Sequence, residues 1–318
     1  MNRRVKAVRE KDKRMLYFIA FAALVLVTLI SWDRLKIAFF SPGGIMLRAL
    51  PSADASELEN ENNGNTIQFD ALEIDEDVNR GILFELLDSN SESNIPLSGA
   101  EPRILIFHTH TTEAYLSTMA TDWRTSDELS NIVSIGAKLT KILTEEYGIS
   151  VIHDTTNHEP PRLGTSYERS INTMEYYRDK YPSISLFIDV HRDSYVLKDN
   201  ATMADYEAVN DVAMVDGKSC ARIMFVVGTG EGKTGQGFAI KPDYKTNYAL
   251  ALNITNRLNA INPVLTRPIR VKTGRYNQHI GDSILIEVGH NANTLEEAMN
   301  TLPYLAKAIA SLNDGSEP

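Results

Sequence analysis

Apolar runs and helical stripes alternate through the last two-thirds of this chain. ILIF at 104–107 is uniformly apolar, and NIVSIGAKLTKILTEEYG places Ile132, Ile135, Leu139, Ile142 and Leu143 at helical spacing before Gly148, a natural C-terminal stop. ISVIHD reads as a strand, TSYERSINTMEYYRDKY as a second amphipathic helix, and SISLFIDVHRDS as a strand that is apolar almost to its end. ARIMFVVGTG, a helix over roughly 245–258, a strand at SILIEVGH and a last helix in LEEAMNTLPYLAKAIASL complete the series. Strands alternating with helices predict an α/β fold in which helices sandwich a mostly parallel central sheet.

The first hundred residues follow another pattern. Residues 1–14, MNRRVKAVREKDKR, carry seven Lys or Arg against Glu10 and Asp12, and the 18 residues Met15–Trp32 carry no charge. At ~1.5 Å per residue this run is just long enough to cross roughly 30 Å of hydrocarbon. A basic flank stays cytoplasmic and Trp32 suits the far interface. The pattern therefore predicts one transmembrane helix in the cell membrane, with everything after it outside the cytoplasm. A cleaved signal peptide has a shorter apolar core, about 7–15 residues, and ends in a small-residue site. Residues 33–100, acidic and Asn-rich in ADASELENENNGN, read as an extracytoplasmic neck. Within it NRGILFELLDS can form a short helix whose Ile82, Leu83, Leu86 and Leu87 dock on the main domain, expected over 101–318.

Composition narrows the chemistry. A chain of 318 residues, 43% hydrophobic, is large enough to bury a substantial core. The net charge of −10 argues against nucleic acid as a partner. One cysteine, Cys220, allows no multi-cysteine metal cluster, so a metal must be held by His, Asp or Glu.

Three apolar strands end in FHTH, DVHRD and IEVGH. In an open α/β sheet functional groups gather beyond the carboxyl ends of strands, so His108, His110, Glu113, His191 and Glu287 are expected to converge. Catalytic zinc takes three such ligands and leaves a fourth position open, and a nearby unligated carboxylate serves as general base. The assignment that follows is His110, Glu113 and His191 as zinc ligands with Glu287 as base. His108 shares the side of His110 if the strand continues, as a substitute ligand for Glu113 or a support behind the ligands. Asp189 reads either as a similar support or as a strand-end cap.

Other features read more plainly. GTGEGKT at 228–234 lacks the first glycine of a phosphate loop, since Val227 stands there, and is expected to be a turn or a substrate-side loop. His153, His158 and His279 read as solvated loop residues, and Cys220 as a small buried hydrophobe. For His290 the functional reading is a substrate contact. Arg192 either binds an anionic carboxylate or braces the site. Tyr167 and Arg169 suit a groove wall and a helix face equally well.

Together HTHTTEAY, DVHRDS and LIEVGHNANTLEEA resemble the stage II sporulation protein P family, membrane-anchored peptidoglycan hydrolases of endospore-forming bacteria. The resemblance runs from about residue 101 to 312, with GTSYERS, VVGTG and YNQ in the same order. That family is in turn similar to zinc N-acetylmuramoyl-L-alanine amidases. On their pattern His110 matches the first ligand, His191 the second histidine, and Glu287, in E-x-G-x-x-x-N ending at Asn293, the catalytic glutamate. Their glutamate ligand falls near Asp127 or Glu128, an alternative to Glu113. The resemblance implies an amidase-like fold and cleavage of the bond between muramic acid and L-alanine during engulfment of the forespore. It extends to peptide cross-links, with stem peptides and glycan strands as substrate and stage II sporulation proteins D and M as partners. The rival reading is a membrane-tethered wall-binding scaffold that has kept the fold without the activity.

Overall fold

The apolar runs become strands β1 (Ile67–Phe69), β2 (Leu72–Ile74), β3 (Ile104–Phe107), β4 (Val151–His153), β5 (Leu186–Asp193), β6 (Val212–Val215), β7 (Lys218–Ala221), β8 (Ile223–Gly228), β9 (Ile269–Lys272) and β10 (Ser283–His290). The helices are α1 (Gly81–Leu87), α2 (Ile132–Glu145), α3 (Tyr167–Lys180), α4 (Met203–Ala208), α5 (Tyr244–Ile261) and α6 (Leu295–Ala310). This computed structural model describes residues 67–69, 72–75, 78, 81–87, 94–116, 123–195, 202–232 and 237–313. The apolar run at 15–32, predicted to be an anchor, lies outside the described residues. Among the described residues no helix is long and apolar enough to cross a membrane.

Among the described residues eight strands form one sheet in the order β1-β2-β9-β8-β10-β5-β3-β4, and β6 and β7 form a separate hairpin. β1 with β2 and β8 with β10 pair antiparallel, and the other neighbours run parallel. The sheet is therefore mixed but mostly parallel. β3 and β8 are buried along their whole length, which is why they read as unbroken apolar runs. Asp216 and Gly217, both at positive φ, make the tight turn of the β6–β7 hairpin.

The helix signals hold at the level of single caps. Asn131 accepts the Val133 amide at the start of α2, and Gly148 at φ +66 closes its C-terminal side. Thr294 and Glu297 form a reciprocal capping box on α6.

The folded domain reaches back into the expected neck, before residue 101. β2 adds to the sheet beside β9, with Leu72 and Ile74 almost fully buried, and Ile82 and Leu86 of α1 are buried as well. A neck read from acidic composition thus contains two strands and a docked helix. Short apolar stretches between polar runs are too brief to show a period.

Side chains alternate across strands, so Leu105, Phe107, Phe187, Asp189, His191, Leu285 and Glu287 share one face of the sheet. Helices α2, α5 and α6 pack together on the opposite face. On the first face α3 covers Leu105, Phe107 and Phe187 through Met174, with Ile171 and Tyr177 beside it. Farther along that face the rings of Tyr167 and Tyr276 pack on Met224, Val226 and Leu285. The layering is thus lopsided, and the thin side is where the polar strand ends emerge.

Candidate active site

β5 delivers His191 and β10 delivers Glu287 directly opposite it in the parallel ladder, on the same face. Just after Glu287 the ladder shifts register, and Gly289 adopts φ +70. A Cβ there would lie 2.6 Å from Asn293 Oδ1 and 2.7 Å from the Ala221 side chain. The Asn293 side chain accepts the His290 amide at 2.8 Å and donates to Asn210 and Glu297. The E-x-G-x-x-x-N run is thereby a bulge locked by its own asparagine, which ends the strand just past the carboxylate.

His191 stands between two carboxylates. Its Nδ1 is 3.4 Å from Glu113 Oε2, and its Nε2 is 2.9 Å from Asp189 Oδ1, although the ring does not aim an N–H along that line. Burial works to neutralise the ring, but the charges of Asp189 and Glu113 outweigh it and hold His191 protonated well above its ordinary value. Burial likewise acts to raise Glu113, and the charges of His191 and Arg192 overcome it and keep the carboxyl ionised. Glu113 is fixed through its backbone, by a bridge to Arg124 and by the Ile132 amide at 2.9 Å. Asp189 is fixed by Thr109, whose amide and hydroxyl donate to it at 2.8 and 2.6 Å.

His110 enters from the end of β3, its ring 5.5 Å from the His191 ring and at right angles to it. Burial first, and then the charge of His191, lower its proton affinity. Its Nδ1 is buried without a hydrogen-bond partner, 3.8 Å from Glu159. Glu287 Oε2 is also buried without a partner. Burial together with the negative charge of Asp193 pushes the Glu287 carboxyl up to about 8. Tyr167 completes the wall, its ring 5.7 Å from His110 and stacked 6.4 Å from His191.

Among the described residues no three His, Cys, Asp or Glu side chains stand as a ready-made ligand cage. The donors nevertheless fit zinc in kind. Two neighbouring ligands of tetrahedral zinc lie about 3.3 Å apart, and Glu113 and His191 Nδ1 are 3.4 Å apart with Asp189 behind the ring. His110 Nδ1 supplies a third donor with nothing else to bind.

His108 does not join them. The strand ends at Phe107, and His108 turns to the helix side, where Nδ1 meets the Val190 carbonyl at 3.0 Å and Nε2 meets His153 Nε2 at 2.9 Å. Burial drives His108 down to about 3 and His153 to about 4, so both rings are neutral and the pair shares one proton. Gly136 of α2 makes room for them, since a Cβ there would lie 2.5 Å from His108 Nε2. The residue expected to stand in for Glu113 is committed elsewhere. Asp127 closes its own exposed turn with Leu129 and Ser130, and Glu128 is exposed.

Several other side chains resolve. His158 is buried and not solvated, its Nδ1 donating to the His108 carbonyl at 2.8 Å. Arg192 braces the loop that carries Glu113, donating to the Ala114 and Trp123 carbonyls. Arg169 likewise braces, through the His158, Glu159 and Arg162 carbonyls. Glu159 has no signal in the sequence, yet it accepts from Thr112 and Arg124 at 2.6 and 2.7 Å and faces His110. Asp193, visible in DVHRD as a second strand-end acid, pairs with Arg267 at 2.7 Å.

The model of stage II sporulation protein P matches residues 43–310, most of the chain. The chain belongs to the stage II sporulation protein P family. Stage II sporulation protein P of Bacillus subtilis (strain 168) is 27% identical over 232 residues, which is 68% of this chain and 52% of that protein. The chain thus matches about half the length of that curated relative. Among solved structures, the catalytic domain of CD27L endolysin targeting Clostridia Difficile is 13% identical with a TM-score of 0.39, over 68% of this chain and 99% of that one. An N-acetylmuramoyl-L-alanine amidase from Clostridium difficile 630 is 10% identical with a TM-score of 0.35, over 67% and 95%. Likeness at that level bears on neither activity nor ligands.

Proposed function

We propose that this family member is a zinc-dependent peptidoglycan hydrolase that cleaves the N-acetylmuramoyl-L-alanine amide bond during forespore engulfment. One observation carries the reading. His191 and Glu287 face each other in register on the open face, next to His110, and each of the three keeps a buried polar atom without a properly directed partner. Glu113, His110 and His191 would hold the ion, and zinc there supplies Lewis acidity for water and for a substrate carbonyl.

The chain's own groups do the rest. Glu287 takes a proton from attacking water and returns it to the departing amine. Its affinity for that proton, with a value about 8 before any cation is near, suits a group that must both accept and release one close to neutral pH. The charge of Asp189 lies beside His191, and Tyr167 shields the donors on the groove side. Residues 15–32 would anchor the chain in the membrane with the basic residues 1–14 in the cytoplasm. Peptide cross-links as further targets, and stage II sporulation proteins D and M as partners, follow from the family resemblance.

The test uses the full chain, with metal content by mass spectrometry and stem-peptide release from purified peptidoglycan. Wild type and Glu287→Gln should each carry about one zinc, with release lost roughly 10²–10⁴-fold in the variant. Full release by His191→Ala would sink the assignment. A folded wild type that binds wall without metal or release would mark a tethered scaffold.

A further inference from the structure

On the outer side of α3 lies a cavity of about 290 Å³ lined by Asp154, Thr156, Asn172, Thr173, Tyr176 and Tyr177, none of which the proposed reaction uses. The geometry points to a sugar-binding subsite that takes an N-acetylhexosamine ring of a glycan strand. It deepens the hydrolase reading by naming where the glycan lies, and rests on that reading only for the source of the sugar.

The aromatic floor is built and held. Tyr176 and Tyr177 meet edge to face at 5.1 Å, and Tyr177 is anchored by its hydroxyl, which donates to Asp154 Oδ2 at 3.1 Å. Tyr176 stays 55% exposed. Lys180 Nζ lies 2.9 Å from the Tyr176 hydroxyl and 5.2 Å from the ring centroid, which puts the ammonium toward the hydroxyl edge of the ring. An exposed ring set against an anchored one suits the C–H face of a pyranose.

The walls match a sugar's edge. Asp154 accepts from Tyr177 and from the Thr156 amide, and a carboxylate has about four acceptor positions, so it can take sugar hydroxyls as well. Asn172 uses its side-chain nitrogen on the Glu168 carbonyl and keeps its oxygen for a ligand donor. A few convergent polar groups around an apolar surface are the usual makeup of a small-molecule site. A nucleotide fits poorly, because a carboxylate stands in the cavity and the nearby cation is held by Tyr176.

The cavity is also tied to the candidate centre. Thr173 bonds His158 Nε2 at 2.8 Å, and His158 Nδ1 donates to the carbonyl of His108, two residues before His110. A glycan seated here would lie beside the strand end that carries His110.

The probe is tetra-N-acetylchitotetraose, a peptide-free chain of N-acetylhexosamines, titrated calorimetrically into the full chain. Wild type should bind it, and Tyr176→Ala and Asp154→Asn should each weaken binding about tenfold or more. Release of stem peptides from polymeric peptidoglycan should fall in both variants through a higher KM, with kcat on a short soluble muropeptide unchanged. No binding by wild type, or undiminished binding in both variants, overturns the subsite. Binding by a wild type that releases no stem peptide would overturn the hydrolase reading and leave the subsite standing.

Discussion

Glu287 and His191 oppose each other in one ladder, and their surroundings push both to hold protons more firmly than usual. For Glu287 the cause is burial and neighbouring acids, and for His191 it is two carboxylates that outweigh burial. A protonated His191 offers no lone pair at either ring nitrogen until it gives up a proton. Zinc uptake near pH 7 should therefore release at least one proton, and affinity should weaken as pH falls, which calorimetry in buffers of different ionisation enthalpy would register. Stability has its own signature. The folded value of Glu287, about 8, exceeds its ordinary 4.5, so its contribution is complete below 4.5 and is lost as pH rises through 8. His191, raised above 6.5, acts in the same direction. His108, His153 and His290 are depressed to between about 3 and 4 and act oppositely, losing their contribution as pH falls below 6.5. The metal-free chain should therefore lose stability as pH rises from 6.5 to 8. Glu287→Gln should make that decline shallower in denaturant midpoints measured across the range.

At the scale of the element, two glycines set what the strands can present. An alanine in mid-helix is ordinarily better than glycine by about 1 kcal/mol. Gly136→Ala in α2 should nevertheless lower the melting temperature, because its Cβ would press within 2.6 Å of both His108 and His153. Gly289→Ala should be worse placed still, with a positive φ and contacts to Asn293 and Ala221. A loss on the order of 1–3 kcal/mol in urea titrations is expected, with stem-peptide release falling as Glu287 shifts. The same scale shows what could be read beforehand. The runs at 104–107, 186–193 and 283–290 and the four long helices follow from periodicity and caps, which are local. The strands at 67–69, 72–74 and 269–272 and the β6–β7 hairpin have no readable signal, since three or four residues carry too little pattern to stand out from a loop. The reversal of β8 was equally hidden, because a fully buried strand reads alike in either direction.

The whole molecule closes the sheet with residues that composition assigned to a neck. Leu72, Ile74, Ile82 and Leu86 are buried, each worth at most about 1.5–3 kcal/mol. A chain cut to begin at residue 101 would lose them and bare the surfaces they cover, together with the β9 edge that β2 pairs with. Such a fragment should unfold at clearly lower denaturant than one beginning at residue 52, and it should aggregate more readily through the bared edge. The gathering of polar strand ends belongs to this scale too, yet part of it was visible early. Parallel strands must all deliver their carboxyl ends to one rim, so FHTH, DVHRD and IEVGH announced a shared location. Sequence by itself determined the α/β class, that rim and the chemical types found there, because apolar periodicity and strand polarity are local properties. Tertiary structure decided which groups meet. His108 turned to His153 because the strand stops at Phe107, and Glu159 came beside His110 because a distant loop returns over the site. The aim of a side chain at a strand end depends on the chain that packs against it, and no stretch of neighbouring residues contains that.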